Sequence, residues 1–184
     1  MILASASPRR AELLRNAGIP FTARATNVPE HRRRGESPRK FTERLAREKA
    51  HAIRTCHPRR LVLGADTIVI IRGRVLGKPR DRQDAARMLR LLSGRTHQVT
   101  TAVCLIGPGF EDTRAETTRV TMRKLSEREI RDYVASGEPR DKAGAYAIQG
   151  RASRFVSRIE GCYFNVVGLP LPLVYRMLRA HGLL

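Results

Sequence analysis

The chain has 184 residues, 41% of them hydrophobic, and 36 basic against 17 acidic residues give a formal net charge of +19. This length predicts one domain, residues 1–184, with a sizeable buried core. No apolar run approaches the roughly 20 residues of a membrane-spanning helix, and the N-terminus lacks the pattern of a secretory signal. Three scattered cysteines indicate free thiols. We therefore expect a cytoplasmic protein with no membrane partner.

The net charge at first suggests a nucleic-acid-binding protein. The basic residues are spread along the whole chain, however, and do not form a basic tail. Aromatic residues are only 5% of the chain and tryptophan is absent, so stacking platforms for bases are scarce. We expect a solvated, arginine-rich surface, and we do not expect nucleic-acid binding to be the main function.

The first predicted elements are a short buried strand at 2–4 and a helix from Pro8 to about Ala17. Ser7 followed by Pro8 is typical of a helix start, with serine as N-cap and proline at the first helical position. Arg9 and Arg10 come next, although cations are unfavourable near the positive end of the helix dipole. A bound anion would make this arrangement favourable, because free N–H groups, the dipole and both arginines would act on it.

The later elements alternate between helices and strands, which predicts an α/β domain with a mixed sheet. The apolar segment LVLGADTIVII, residues 61–71, is expected to be a central strand with a break at Gly-Ala-Asp. The other expected elements are an extended segment at 20–25, a helix from Pro38 to about Thr55, a helix from Asp81 to about Ser93, a long hairpin at 96–125 with its turn at 107–112, a helix after the capping box Ser126–Glu129, a loop at 138–150, a strand after it, and a final helix at about 171–180.

Two charged residues stand in apolar surroundings. Asp66 interrupts the apolar strand, and burial disfavours a carboxylate unless a cation or hydrogen bonds compensate. The alternative is a strand-end aspartate that bonds nearby backbone N–H groups. Lys49 lies on the apolar face of the second helix, four residues after Leu45 and four before Ile53. Its side chain can either extend to the solvent or reach a polar cleft.

Weaker candidates lie in polar segments. Lys78 in LGKP resembles a phosphate loop only slightly, since Pro79 stands where a Walker A motif needs serine or threonine. Gln149, in DKAGAYAIQG, could read a base edge or belong to an ordinary surface loop. The histidines show no metal-binding spacing, and a nucleophile elbow is absent. Carboxylates, lysines and arginines beside a helix start therefore predict metal-assisted phosphate chemistry.

Seven segments resemble, in order, the Maf family of nucleotide pyrophosphatases across essentially the whole chain. They are LASASPRR, RLAREKA, VLGADTIV, LGKPRD, LSGRTHQV, GEPRDKAGAYAIQG and VVGLPL. The resemblance implies an α/β fold similar to inosine triphosphate pyrophosphatase, with a mixed twisted sheet flanked by helices and two lobes around a cleft. It implies hydrolysis of nucleoside triphosphates to the monophosphate and pyrophosphate with a divalent cation, Mg²⁺ or Mn²⁺. The family was named for effects on septum formation, and its members are often homodimers.

The resemblance also assigns roles to individual residues. GADT and AIQG look like the dTTP/UTP-cleaving branch and differ from the 7-methyl-GTP branch. Asp66 resembles the proton acceptor, and the metal would be held by carboxylates including Glu30 or Asp66. Asp66 cannot be both a fully engaged metal ligand and a free base, and the sequence leaves this open. The remaining assignments are Glu30, Lys49 and Lys78 as charged residues of the active cleft, Ser5, Arg9 and Arg10 as the phosphate-binding turn, and Arg10, Thr67 and Gln149 as specificity positions.

Two other functions stay open at this point. One is a regulatory nucleotide-binding protein of cell division, and the other is a nucleic-acid-binding protein. A regulatory sensor needs no catalytic base, so an aspartate within an apolar strand favours the enzyme. A nucleic-acid binder would show an affinity that falls steeply with salt.

Overall fold

The computed structural model describes residues 1–184. It contains seven strands and six helices, besides short 3-10 turns between residues 138 and 155. The strands are β1 (Ile2–Ala4), β2 (Thr22–Arg24), β3 (Val62–Ile71), β4 (Arg74–Leu76), β5 (Thr96–Gly107), β6 (Phe110–Met122) and β7 (Val156–Glu160). The helices are α1 (Pro8–Asn16), α2 (Pro38–Arg54), α3 (Arg82–Leu92), α4 (Glu127–Ala135), α5 (Tyr163–Val167) and α6 (Leu171–Ala180).

All seven strands belong to one mixed sheet with the order β2-β1-β3-β5-β6-β7, and β4 pairs with β3 off this path. β1 runs parallel to both β2 and β3. The β3–β4 and β6–β7 pairs are antiparallel. A mixed sheet accompanied by six helices confirms the predicted α/β class.

The helix starts follow the sequence closely, with one exception. The side chains of Ser37, Asp81 and Ser126 each accept the backbone N–H three residues later, as N-caps do. Ser7 precedes α1 without such a bond. Its own N–H instead donates to the Ser5 hydroxyl at 3.2 Å. The start of α1 is therefore held by the preceding turn and not by a serine cap.

The predicted break in the central strand is wrong, because β3 runs through Gly-Ala-Asp without interruption. Gly64 is needed for packing. A Cβ at this position would collide with the Ala46 carbonyl oxygen and lie 2.8 Å from the Ala50 nitrogen, so glycine lets α2 pack closely on the strand. The hairpin turn is also shorter than predicted, since β5 and β6 leave only Pro108 and Gly109 between them.

The chain divides into two compact units. The first unit comprises Met1–Thr67, Thr101–Glu116 and Gly168–Leu184, and the second comprises Ile68–Thr100 and Thr117–Val167. Each unit has fully buried apolar side chains of its own, such as Leu14 and Leu45 in the first and Leu89 and Phe155 in the second. None of the helices combines the length and apolar character that a membrane crossing requires.

Candidate functional site

A buried ion cluster in the first unit joins three of the sequence-predicted site residues. The Lys49 ammonium lies 2.6 Å from Asp66 Oδ1 and 2.6 Å from Glu30 Oε1. Lys49 and Asp66 are only 8% and 5% exposed, whereas the Glu30 side chain is 45% exposed. A buried ammonium is tolerated when it is paired in this way. The sequence left two alternatives for Lys49, and the structure shows that it reaches a carboxylate pair.

The local fold explains how Lys49 and Asp66 meet. Side chains alternate along a strand, so Asp66 projects from the same face of β3 as Gly64. α2 packs closely against Gly64. Lys49 lies among the buried residues of α2, between Ala46 and Ala50. The close helix–strand contact therefore brings an ammonium and a carboxylate together inside the first unit.

The environment of Asp66 makes it a stronger base than an exposed aspartate. Burial raises the pKa of the Asp66 carboxyl, and the charge and hydrogen bond of Lys49, with the charge of Arg10, offset part of that rise. A carboxylate whose pKa lies closer to the working pH accepts a proton more readily. The Lys49 and Arg10 cations near this group favour its charged form and so act against the effect of burial.

Arg10 organises the surroundings of Asp66. Its Nε donates to the Gly168 carbonyl at 2.8 Å, and its Nη1 donates to the Ala65 carbonyl at 3.0 Å and to Ser5 Oγ at 3.1 Å. Its Nη2 donates to Thr67 Oγ1 at 2.9 Å. Burial lowers the pKa of the Arg10 guanidinium, an effect that the Asp66 charge partly offsets. Arginine nonetheless remains protonated in proteins, so all of these bonds persist.

The two arginines that follow Pro8 thus differ in environment. Arg10 is buried and its donors are engaged by the protein, while Arg9 is half-buried on the first turn of α1. The sequence pattern predicts that both arginines bind one anion. That role stays a prediction. In the structure Arg10 ties the chain on either side of Asp66 to the segment before α6.

Replacing Arg10 with methionine should lower the free energy of unfolding by about 3 kcal/mol, because several buried acceptors lose their donor. Chemical denaturation at neutral pH measures this loss. Arg9→Met is the matched control, since it removes the same charge from the neighbouring, less buried position. Equal denaturation midpoints for the two variants would show that the Arg10 network does not stabilise the fold.

Thr67 extends this network into β5. Its hydroxyl lies 2.9 Å from that of Thr101 and 3.4 Å from the Gly168 carbonyl, besides accepting from Arg10. Thr101 is fully buried. Sequence analysis did not single out Thr101, because a hydroxyl within the β-rich run TTAVCLI carries no distinguishing pattern.

The structure places two other predicted residues in the second unit. Lys78 is exposed just after β4, and Gln149 is exposed in the turn at residues 148–150. The roles of Lys78 and Gln149 therefore stay predictions from the resemblance. Neither lines the cavity of about 520 Å³ that this unit contains between the start of α3 and the end of α4.

The chain has no group of three or more histidine, cysteine, aspartate or glutamate side chains arranged to hold a metal ion. Glu30 and Asp66 are nevertheless two carboxylates that converge on one point, the Lys49 ammonium. Mg²⁺ is commonly bound by one or two carboxylates together with substrate phosphates and water. The residues present fit that mode of binding, in which the nucleotide supplies part of the coordination.

Comparison with known proteins supplies independent information. The family model described as Maf-like protein matches residues 1–181. A dTTP/UTP pyrophosphatase of Koribacter versatilis is 57% identical over 184 residues, covering 100% of this chain and 95% of the relative. Those of Syntrophomonas wolfei and Salmonella typhimurium are 53% and 54% identical, covering 98% and 97% of this chain and 96% and 91% of the relatives.

A solved structure, that of the Staphylococcus aureus Ham1 protein, shares the fold. Its TM-score is 0.56 and its sequence identity 14%, and the match covers 98% of both chains. At this identity the similarity concerns the arrangement of helices and strands alone.

Proposed function

The chain belongs to the Maf-like protein family, and on that premise we propose that it is a nucleoside triphosphate pyrophosphatase acting on dTTP and UTP. The products are the nucleoside monophosphate and pyrophosphate. Relatives that are 47–57% identical over nearly the whole chain carry the name dTTP/UTP pyrophosphatase. We propose further that residues 1–184 act as one such domain.

The observation that carries this proposal is the Lys49 ammonium bound between buried Asp66 and the more exposed Glu30. Asp66 orients a water molecule and accepts its proton as the water oxygen attacks the α-phosphorus. The bond from this phosphorus to the bridging oxygen breaks, and pyrophosphate departs. Because burial raises the pKa of Asp66, its carboxylate is matched to this task.

Positive groups in the first unit neutralise the charge of the triphosphate. Arg9 and the N-terminal turn of α1 are proposed to bind the phosphates, which is the use that the sequence predicted for this helix. Arg10 holds the Ser5 and Thr67 hydroxyls in place beside it. Lys49 stabilises charge near the reacting phosphate, and Lys78 is proposed to do so at the leaving pyrophosphate.

Glu30 would be the main protein ligand of the divalent cation, Mg²⁺ or Mn²⁺. Asp66 would contribute at most one carboxylate oxygen, so that its other oxygen is left to accept the proton of the attacking water. A divalent cation bound there with the nucleotide would supply Lewis-acid polarisation of the phosphoryl oxygens. Lys49 holds the two carboxylates close together.

A pyrophosphate-release screen over all nucleoside triphosphates, with and without Mg²⁺, tests the proposal. We expect release from dTTP and UTP in the presence of the metal. Nucleotide binding without release would favour a regulatory protein. Affinity for nucleic acid that falls linearly with the logarithm of salt concentration, without hydrolysis, would favour a nucleic-acid binder. We also propose that the protein is cytoplasmic and forms a homodimer. Sedimentation of the purified chain would show whether it is dimeric.

The base is proposed to be read by Gln149, whose amide offers one acceptor and two donors to the O4 and N3–H edge of thymine or uracil. Gln149→Glu should lower kcat/KM for dTTP about ten- to hundredfold, because a paired polar contact is lost. The ratio of kcat/KM for dTTP over 7-methyl-GTP should fall with it. A wild-type ratio below one would place the protein in the other branch, even if it releases pyrophosphate.

A further inference from the structure

We propose that Tyr133 and Glu138 are positioning residues that hold the turn carrying Gln149 in one conformation and thereby set the selectivity for the base. This inference rests on the proposed function, since it assumes that Gln149 reads the nucleotide. All of the contacts that support it lie within the second unit.

The turn at residues 147–150 is anchored at both of its ends. The Ala147 N–H donates to the Tyr133 hydroxyl at 3.2 Å, and the Arg151 N–H donates to Glu138 Oε2 at 3.1 Å. The Tyr133 hydroxyl in turn donates to Glu138 Oε1 at 2.8 Å. One tyrosine and one glutamate therefore join the chain before the turn to the chain after it.

The turn itself is closely fitted to this pair. The Gly150 N–H donates to the Ala147 carbonyl at 3.1 Å and closes the turn. A Cβ at position 150 would collide with the Glu138 carboxylate, so glycine is required for the approach of the carboxylate. Gln149 is the exposed residue between the two anchors.

Tyr133 is fixed by its packing. It is 1% exposed, and its ring meets that of Phe155 edge-on with 5.3 Å between centroids. Burial raises the pKa of the Tyr133 hydroxyl, and the bond to Glu138 raises it further, so the hydroxyl keeps its proton and remains a donor. This buried side chain of α4 therefore holds the start of the turn at a fixed place relative to the helix.

If the turn already has one conformation before the nucleotide binds, binding does not have to include the entropic cost of ordering it. A mobile turn would have to be ordered in every complex in which Gln149 pairs with a base. Loss of the anchors should therefore weaken binding of the preferred base, while leaving the phosphate chemistry of the first-unit cluster unchanged.

Tyr133→Phe tests the inference, because it removes only the hydroxyl and keeps the ring. Hydrogen exchange of the amides at 147–151 should accelerate about tenfold, the effect of losing a typical hydrogen bond. The ratio of kcat/KM for dTTP over 7-methyl-GTP should fall three- to tenfold on the same ground, through KM for dTTP, with kcat unchanged. Tyr163→Phe is the matched control, since Tyr163 is 40% exposed in the same unit.

A second variant and a double variant separate positioning from simple stabilisation. Glu138→Gln leaves one acceptor oxygen for two donors, the Tyr133 hydroxyl and the Arg151 N–H. It should therefore also accelerate hydrogen exchange at the turn and lower the dTTP over 7-methyl-GTP ratio. In a Gln149→Ala background, Tyr133→Phe should leave the ratio unchanged, because residues acting through one another are not additive. Unchanged exchange at the turn, an unchanged ratio despite faster exchange, or a further loss in the double variant would each overturn the inference. Absence of hydrolysis by the wild-type chain would instead refute the proposed function, and the exchange measurement would still test the anchors.

Discussion

Replacing Asp66 with asparagine should lower kcat for dTTP by on the order of 10²–10⁴-fold, which is the usual contribution of a positioned general base. Asparagine has nearly the same shape as aspartate but cannot accept the proton of the attacking water. Nucleotide binding should persist, because the groups assigned to the phosphates, such as Arg9, are untouched. Steady-state pyrophosphate release and nucleotide titration measure the two effects, and turnover close to wild type would remove Asp66 from the mechanism.

The pH profile provides a second test of Asp66. Protonation abolishes its function as a base, so kcat should fall as pH decreases through the folded-state pKa. Because burial raises the pKa of Asp66, this limb should lie above the ordinary aspartate value of about 3.9. Because the pKa of Asp66 is higher in the folded than in the unfolded state, the free energy of unfolding of the wild-type protein falls as pH rises from the unfolded-state pKa to the folded-state pKa. Asp66→Asn should therefore gain stability relative to wild type between the two pKa values.

Asp84 is a matched control for both measurements. It is buried on α3 and binds Arg87, at 2.7 Å, but lies outside the Asp66 cluster. Burial acts to raise the pKa of Asp84, but the bonds from Arg87 and the Arg80 N–H outweigh it and lower the pKa. Asp84→Asn should keep kcat. It should lose stability above the ordinary aspartate pKa of about 3.9, because a folded pKa lowered below that value stabilises the wild-type protein there. A comparable fall of kcat in both variants would show that the effect at Asp66 is structural.

The charged residues of the site could be predicted to different extents. Asp66 and Lys49 stand out because each is charged within an apolar pattern. The expected burial of Asp66 is confirmed, and Lys49, for which two alternatives were open, is buried as well. Their pairing depends on the packing of α2 on β3, which the sequence does not specify. Glu30 is an exposed residue of a polar loop, so the resemblance alone selected it.

Arg10 shows why contacts between residues far apart in the chain could not be predicted from the sequence. Its position at a helix start predicts an anion ligand and gives no sign that its guanidinium also donates to the Gly168 carbonyl, 158 residues away. Backbone acceptors have no residue-type signature, so such a contact cannot be inferred from pattern. Gly64 was similarly interpreted as a strand break, because glycine signals both turns and close packing. The contacts of the Tyr133 hydroxyl likewise depend on the fold of the turn after α4, which the sequence does not indicate.

Removal of divalent cations should abolish hydrolysis, and Mg²⁺ or Mn²⁺ should restore it. The physical reason is that Glu30 and Asp66 are the two carboxylates available near the proposed reacting phosphate, and Lys49 already neutralises part of their charge. Binding of the cation should therefore be weak without nucleotide and tighter with it, since the phosphates add both ligands and negative charge. Titration of Mg²⁺ with and without a non-hydrolysable dTTP analogue measures this difference.

Glu30→Gln sharpens the test of the metal. It removes the more exposed carboxylate but keeps Asp66, so the Mg²⁺ concentration for half-maximal activity should rise about tenfold, equivalent to about 1.4 kcal/mol. Glu111→Gln is the matched control, because Glu111 is also an exposed glutamate of the first unit and contacts Arg47 and His51. Saturating Mg²⁺ should restore most of the turnover of Glu30→Gln, because Asp66 still acts as the base. Full activity of the wild-type chain after thorough chelation would contradict the metal requirement, and identical Mg²⁺ dependence in both variants would remove Glu30 from the metal site.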